Sequence, residues 1–406
     1  MVTKAFLIKR VMNRFRLKDH LQGDWQIWVI TIFLSFFGIA AVYSSISALA
    51  YRTSNTSEMI IVKHAVLVGM GFFITYVVHR FDFINLASIA KILLWLTPFV
   101  LIYTLSMGKE VGGAKRWISI LGWTIQTSDL VRLVLITNLA AMLARKQNGL
   151  NKFRDLWPII IWCGVLCGML ALSSFSTSVI LGLTCLMVMI IGRVPRKHIL
   201  RMMLSLFVGL IVAFTAGLIT KKYYDTEVFR TQTIIDRTEA FVSRDLDGDG
   251  FAGGKIGSES IQRDQALAAI ARGGFFGVGP GKSAIKHGMA ESYSDFIYAI
   301  IIEEYGLLGG FVILFLYLWL LSRGLKNIEN TTQAFGGLLS IGLTLSIVFQ
   351  ALTHMFINVG LGPVTGQTLP LISKGGTSIL FTSIALGIVL SVSRNQVDTT
   401  STNKPR

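Results

Sequence analysis

Apolar residues run through this chain in blocks near 20 residues long, separated by polar stretches. A helix needs about 20 apolar residues to cross a bilayer. Ten blocks approach that length, at roughly 25–46, 60–78, 86–106, 127–144, 156–173, 176–192, 199–219, 296–321, 335–354 and 377–393. They predict an all-α polytopic membrane protein of about ten transmembrane helices. Two segments break the alternation. Residues 221–294 form a long polar loop between spans seven and eight, longer than a structureless connection should be. It is expected to be either a functional loop or a small folded cap. Residues 360–376, between spans nine and ten, are rich in Gly and Pro. Irregular backbone at membrane depth is tolerated only where protein buries it or it lines a cavity, so a re-entrant segment is expected there. The expected organisation is a basic N-terminus (1–24), spans one to seven (25–220), the large loop (221–294), spans eight to ten (295–393) and a short tail (394–406).

Charge assigns the sides. The N-terminus and alternate loops carry 21 of the 38 Lys and Arg residues. The other side carries 17, of which 10 lie in the long loop, balanced there by 10 acidic residues. Long loops translocate largely regardless of charge, so the informative comparison is 21 against 7. Both termini are expected in the cytoplasm, and the long loop outside. The basic N-terminus does not read as a signal peptide, because no small-residue cleavage site precedes the end of the apolar run.

Composition agrees. The 406 residues are 52% hydrophobic and 15% charged, which excludes an ordinary soluble enzyme and a disordered chain. The net charge of +16 encodes orientation, so no nucleic-acid partner is implied. Cys163, Cys167 and Cys185 all fall in apolar runs and read as small buried hydrophobes.

Several features carry candidate chemistry. Gly112-Gly113-Ala114-Lys115-Arg116-Trp117 lies outside, between spans three and four, followed by Gln126-Thr127-Ser128-Asp129 and Arg132. Glycines beside adjacent cations suit a phosphate or pyrophosphate at the membrane surface, although the same residues could serve as an interfacial anchor. Asp129 and Arg132 are three apart and share a helix face, as a functional pair or a structural one. Asp295 stands where the long loop meets the eighth span. It could cap that helix or act as a general base toward an extracytoplasmic substrate. Glu303 or Glu304 must face the bundle interior or pair with a cation. Asp245, Asp247 and Asp249, with Gly250, match the opening of a calcium loop. The closing Glu is replaced by Ile256, which excludes a complete EF-hand and leaves those three as weak metal candidates. The glycine run from Gly273 to Gly281 follows no predicted strand, which argues against a nucleotide site.

Together these segments resemble the SEDS family (shape, elongation, division and sporulation), the FtsW and RodA type of membrane protein. The resemblance rests on five ordered blocks: Val42-Tyr43-Ser44-Ser45; Gly113-Ala114-Lys115-Arg116-Trp117 with Gln126 and Ser128; Gln262 through Gly281 and Ser283; Ser294-Asp295-Phe296 with Glu303-Glu304 and Gly306; and Pro363 through Leu369-Pro370, Ile372-Ser373 and Gly375-Gly376. It implies a peptidoglycan glycosyltransferase that polymerises lipid II at the outer face of the bacterial cytoplasmic membrane, with Asp295 as the catalytic residue. It also implies Lys115, Arg116, Gln126, Ser128, Asp129, Arg132 and Ser373 as substrate-binding residues. The only cofactor it leaves room for is a divalent cation, Mg2+ or Mn2+, for which no ligand set is evident. The implied partners are a class B penicillin-binding protein and other division proteins. Gly23-Asp24-Trp25 and the Gln367–Ser373 block resemble FtsW more than RodA. Competing readings are a RodA-type elongation polymerase, a lipid II flippase and a non-catalytic division scaffold. The chain also departs from the family. Ser173-Ser174-Phe175-Ser176-Thr177 stands where relatives usually carry Pro-Asp-x-Gly-Thr, Arg132 where they carry Lys, and His354 where they often carry Asn.

Overall fold

The structure is a computed structural model that describes residues 21–52, 57–111, 114–120, 123–146, 153–204, 209, 215, 258–285 and 293–402. Its principal helices among the described residues are α1 (Trp25–Arg52), α2 (Ser57–Arg80), α3 (Phe83–Met107), α4 (Thr127–Arg145), α5 (Trp157–Ser173), α6 (Phe175–Ile191), α7 (Ser258–Gly273), α8 (Ile297–Asn330), α9 (Ala334–Asn358) and α10 (Thr377–Thr402). All but α6 and α7 belong to segments long and apolar enough to span a membrane, and α6 is a shorter apolar helix. The chain is therefore a multi-pass membrane protein. The predicted seventh span begins as helix at 196–204, and most of the rest lies outside the described residues. So do Gly112, Gly113 and most of the large loop, including Asp245, Asp247 and Asp249.

α9 and α10 form the centre of the bundle. Of their most apolar stretches 83% and 78% is buried, against 28% for α2 and 22% for α3. The last two helices in the chain thus support the site, and early ones face lipid. Small residues let the backbones approach, as expected where lipid removes the hydrophobic drive between helices. A Cβ on Gly71 of α2 would stand 2.6 Å from Ser383 Oγ of α10, and one on Gly324 of α8 would stand 2.8 Å from Thr344 of α9. Thr75 Oγ1 also donates to the Ser383 carbonyl at 3.1 Å.

At one end of the bundle the chain before α1 is tied down. Arg323 Nε of α8 donates to Asp24 Oδ2 at 2.5 Å, Asp24 N donates to Ser393 Oγ of α10 at 2.9 Å, and Arg394 Nη1 donates to the Arg80 carbonyl at 2.9 Å. The opposite end carries residues 359–376, which form no regular helix, as expected of a re-entrant segment. Leu369, Leu371, Ile372 and Ser373 in it are buried. α1 packs directly on it: a Cβ on Gly38 would stand 2.6 Å from the Leu371 carbonyl.

Two features were not visible in the hydrophobic pattern. A three-stranded antiparallel sheet, β1 (Lys109–Val111), β2 (Ala114–Ile120) and β3 (Trp123–Gln126), joins α3 to α4 and adds a small β element to the helical fold. The second is a break in α8. This helix runs 34 residues, well beyond the predicted 296–321, and is interrupted at Gly306, with φ 72° and ψ −177°. That region of backbone space is essentially open only to glycine.

The large loop explains the break. Its described part is α7 and the glycine-rich segment after it, which docks on α8. Val278 N and Gly279 N donate to the carbonyls of Glu303 and Glu304 at 2.9 and 3.0 Å. Leu307 N donates to the Gly274 carbonyl at 2.9 Å, and Leu308 N to that of Phe275 at 3.4 Å. Backbone groups freed by the break are thus paired across it. Glu303 and Glu304 are buried, as expected, and both are satisfied. Arg272 Nη1 and Ala284 N donate to Glu303 Oε1 at 3.0 and 3.1 Å. The Ser283 hydroxyl donates to Glu303 and the Ser44 hydroxyl to Glu304. This part of the loop is a folded splint. A Cβ at position 306 would stand 2.1 Å from the Phe275 carbonyl oxygen. Gly306→Ala is therefore expected to cost more than about 1–3 kcal/mol, the backbone strain alone. A fall in melting temperature, followed by size exclusion of heated detergent-solubilised protein, checks this.

Candidate active site

The candidate site lies at the end of the bundle where the sheet, the re-entrant segment and the start of α8 meet. Asp295 sits in the turn before α8. The N-cap of α8 falls on Phe296, which provides no side-chain cap. The capping need is met from another helix. Asn358, at the end of α9, accepts from Ala299 N through Oδ1 at 3.0 Å, and its Nδ2 donates to the Asp295 carbonyl at 3.0 Å. One buried amide therefore fixes both the helix start and the backbone of Asp295, and Asp295 is not the N-cap that the sequence allowed.

Arg116 reaches the same place from β2. In a strand successive side chains point to opposite faces. Arg116 and Ile118 turn inward, half-buried and buried, and Lys115 and Ser119 are exposed. Arg116 Nε donates at 3.2 Å to the Ser173 carbonyl, and its own carbonyl accepts from Thr127 Oγ1 at 3.3 Å. A Cβ on Gly366 would stand 3.3 Å from Asp295 Oδ2 and 3.8 Å from Arg116 Nη1. Carboxylate and guanidinium thus converge over a bare backbone position, held at φ 65° where glycine alone is comfortable. Lys115 does not join them: its Nζ donates to the Ser106 carbonyl at 3.1 Å, back on α3.

The re-entrant segment forms the floor. The Ser373 hydroxyl donates to the Ser294 carbonyl at 2.7 Å and accepts from Leu369 N at 2.8 Å. Lys374 N donates to the Tyr293 carbonyl at 3.1 Å, and Lys374 Nζ lies 5.0 Å from the centre of the Tyr293 ring. Ser373 is 1% exposed, so this geometry gives it the work of holding the backbone before Asp295 rather than touching a substrate. Gln367 Nε2 donates to Thr177 Oγ1 at 2.6 Å, and His354 Nδ1 pairs with the Gln367 carbonyl at 2.7 Å. Thr177, the one residue of the 173–177 block that keeps the family pattern, and His354, which departs from it, thus both position the residue beside Gly366.

The remaining sequence candidates lead inward. Gln126 ends β3, and its N donates to Thr377 Oγ1 at 3.4 Å. Ser128 and Asp129 are buried. Arg132 Nη2 pairs with Asp129 Oδ1 at 3.1 Å, and Arg132 Nη1 donates to Gln350 Oε1. Gln350 Nε2 in turn donates to the Thr368 carbonyl at 2.9 Å. A cavity of about 20 Å³ borders Asp129, Arg132, Ser346 and Thr382, room for about one water. This is a buried relay from α4 through α9 to the re-entrant segment. Asn358 and Gln350 are the participants that sequence reasoning missed, and Gly366 was read only as part of the re-entrant Gly/Pro block. The only signal was two amides toward the C-terminal end of the ninth apolar run.

Among the described residues, no group of three His, Cys, Asp or Glu side chains could hold a metal ion. The weak metal candidates Asp245, Asp247 and Asp249 lie outside the described residues, and no chemical step is assigned to a cation.

The same architecture recurs in known proteins. A family model described as "Cell cycle protein", built on FtsW, RodA and SpoVE, matches residues 24–398. Over 376 residues the chain is 29% identical to "Probable peptidoglycan glycosyltransferase FtsW" of Bacillus subtilis (strain 168), covering 91% of this chain and 90% of that protein. It is also 29% identical to the stage V sporulation protein E of the same organism, covering 91% and 97%. A solved chain from the work "Structural coordination of polymerization and crosslinking by a peptidoglycan synthase complex" superposes with a TM-score of 0.70 at 21% identity, covering 92% of this chain and 98% of that one. The rod shape determining protein RodA of Thermus thermophilus superposes with a TM-score of 0.64 at 21% identity, covering 93% and 99%. The chain belongs to the FtsW, RodA and SpoVE family of cell cycle proteins.

Proposed function

We propose that this protein is a peptidoglycan glycosyltransferase that polymerises lipid II at the outer face of the bacterial cytoplasmic membrane, in septal wall synthesis. The observation that carries the proposal is the convergence of Asp295 and Arg116 on Gly366, at the bundle end opposite the Asp24–Arg323 pair. Relatives named as peptidoglycan glycosyltransferases over nine-tenths of the chain support it. In this reading Asp295 takes the proton from the acceptor sugar hydroxyl as that oxygen attacks the anomeric carbon of the donor. The bond from that carbon to the undecaprenyl pyrophosphate oxygen breaks, and the electron pair leaves with the pyrophosphate. Arg116 faces the charge that develops on the leaving group. Glycine at 366 keeps a side chain from crowding the two groups. The positive-inside distribution supports cytoplasmic termini and, with them, an outer position for this end. A partner transpeptidase of the class B penicillin-binding type is part of the proposal, supported by the structural likeness to a peptidoglycan synthase complex.

Purified protein, with its transpeptidase, is expected to convert lipid II into glycan strands of many disaccharides, resolved on gels. Movement of labelled lipid II across liposomes without strand formation would overturn the polymerase in favour of a carrier.

A further inference from the structure

The glycine-rich splint carries an aromatic pair that the site does not use. Phe275 and Phe276 are 57% and 80% exposed, and their rings meet edge to face with centroids 5.0 Å apart. Their height in the bundle can be read from α8. The Phe275 carbonyl accepts from Leu308 N, so the pair sits beside the Gly306 break. From Gly306 to Arg323 the helix rises about 26 Å at about 1.5 Å per residue. Arg323 is bound to Asp24 at the far end, where Arg80 and Arg394 also lie. A hydrocarbon core is about 30 Å thick. With Arg323 at the inner boundary, Gly306 and the phenylalanine pair stand at the outer boundary.

The α8 face beneath them is apolar. Leu308, Phe311, Phe315 and Leu318 are exposed at helical spacing along one face of α8. That face belongs to a helix long and apolar enough to span a membrane, and no other described element covers it. Phe275, whose carbonyl accepts from Leu308 N, adjoins the outer end of that face. Aromatic rings are favoured at this level of a bilayer.

We infer that Phe275 and Phe276 insert into the outer leaflet, so that the large loop is seated in lipid as well as on protein. The partner is the acyl region of the bilayer itself, reached by a loop rather than by a span. The seat lies close to the candidate site. The splint is continuous with α7, whose Ala266 and Ala269 are buried with Phe296 and Ala299, directly after Asp295. Lipid contact at the loop tip therefore helps to set the height of Asp295 above the hydrocarbon. The inference rests on the proposed orientation and not on the proposed reaction.

The test is spin-label accessibility in the full chain, reconstituted in nanodiscs of phosphatidylethanolamine and phosphatidylglycerol. Cys163, Cys167 and Cys185 are replaced by Ala, and a single label is placed by Phe276→Cys or, as a water-facing control, by Lys282→Cys. Lys282 is exposed on the same loop. The ratio of oxygen to water-soluble nickel accessibility at 276 is expected to exceed that at 282 several-fold. Equal ratios would overturn the inference, because the pair would then face water. Low accessibility to both reagents at 276 would also overturn it, showing that protein covers the pair. Monodisperse elution of both labelled proteins verifies folding, and Phe275→Cys repeats the measurement if Phe276→Cys fails to fold.

Discussion

Asp295→Asn is expected to abolish glycan polymerisation and to leave folding intact. The substitution keeps size and polarity and removes only the basic oxygen. The fold does not need that carboxylate as the α8 N-cap, because that position falls on Phe296, and Asn358 grips the Asp295 backbone through its carbonyl. Loss of a positioned proton acceptor costs about 10²–10⁴-fold in rate. Turnover should fall by at least about 10²-fold, with unchanged melting and unchanged association with the transpeptidase. Retained polymerisation would remove Asp295 from the role of base. Loss of turnover would also separate this enzyme from a scaffold or carrier reading, in which the side chain is dispensable.

Arg132→Ala is expected to be the most destabilising single change among the sequence-predicted site residues. Asp129 is 5% exposed and has its cation 3.1 Å away. Removing one member of a buried pair leaves the other charge uncompensated and costs about 3–5 kcal/mol. Gln350 would lose its guanidinium partner at the same time, and the amide that holds the Thr368 carbonyl would be free to turn. Arg132→Lys keeps the charge but not the fork that reaches Asp129 and Gln350 together, so it should fall between. The double substitution Asp129→Asn with Arg132→Gln should recover much of the loss, because no charge is left buried. Thermal unfolding of the four proteins measures this. An Arg132→Ala protein as stable as the parent would show that the pair is not needed for folding.

The helices were legible because bilayer thickness imposes a length that the apolar blocks reproduce. The re-entrant segment was legible because Gly360, Pro363, Gly366 and Pro370 crowd between two apolar runs. What escaped depended on partners distant in sequence. Nothing local tells that Asn358 caps a helix that starts 61 residues earlier in the chain, at Ile297. The α8 break was hidden because the apolar run continues through Gly306, and only the splint makes the break affordable. The hairpin at 114–126 was missed because its strands are short and carry no clear alternation. Its consequence was missed with it: Lys115 and Arg116 are adjacent in sequence, and the pleat sends them to opposite faces. Only Arg116 joins Asp295.

The splinted break in α8 has a mechanical consequence. A break with unpaired backbone would act as a hinge. Here the loop bonds to carbonyls before Gly306 and to amides after it, so the two arms move as one bent lever. The outer arm is nine residues long and ends beside Asp295, and the inner arm spans the bilayer. Helices accommodate a change in bilayer thickness largely by tilting. A rigid elbow carries such a tilt to the end of the short arm, so membrane thickness becomes one of the variables that set where Asp295 stands.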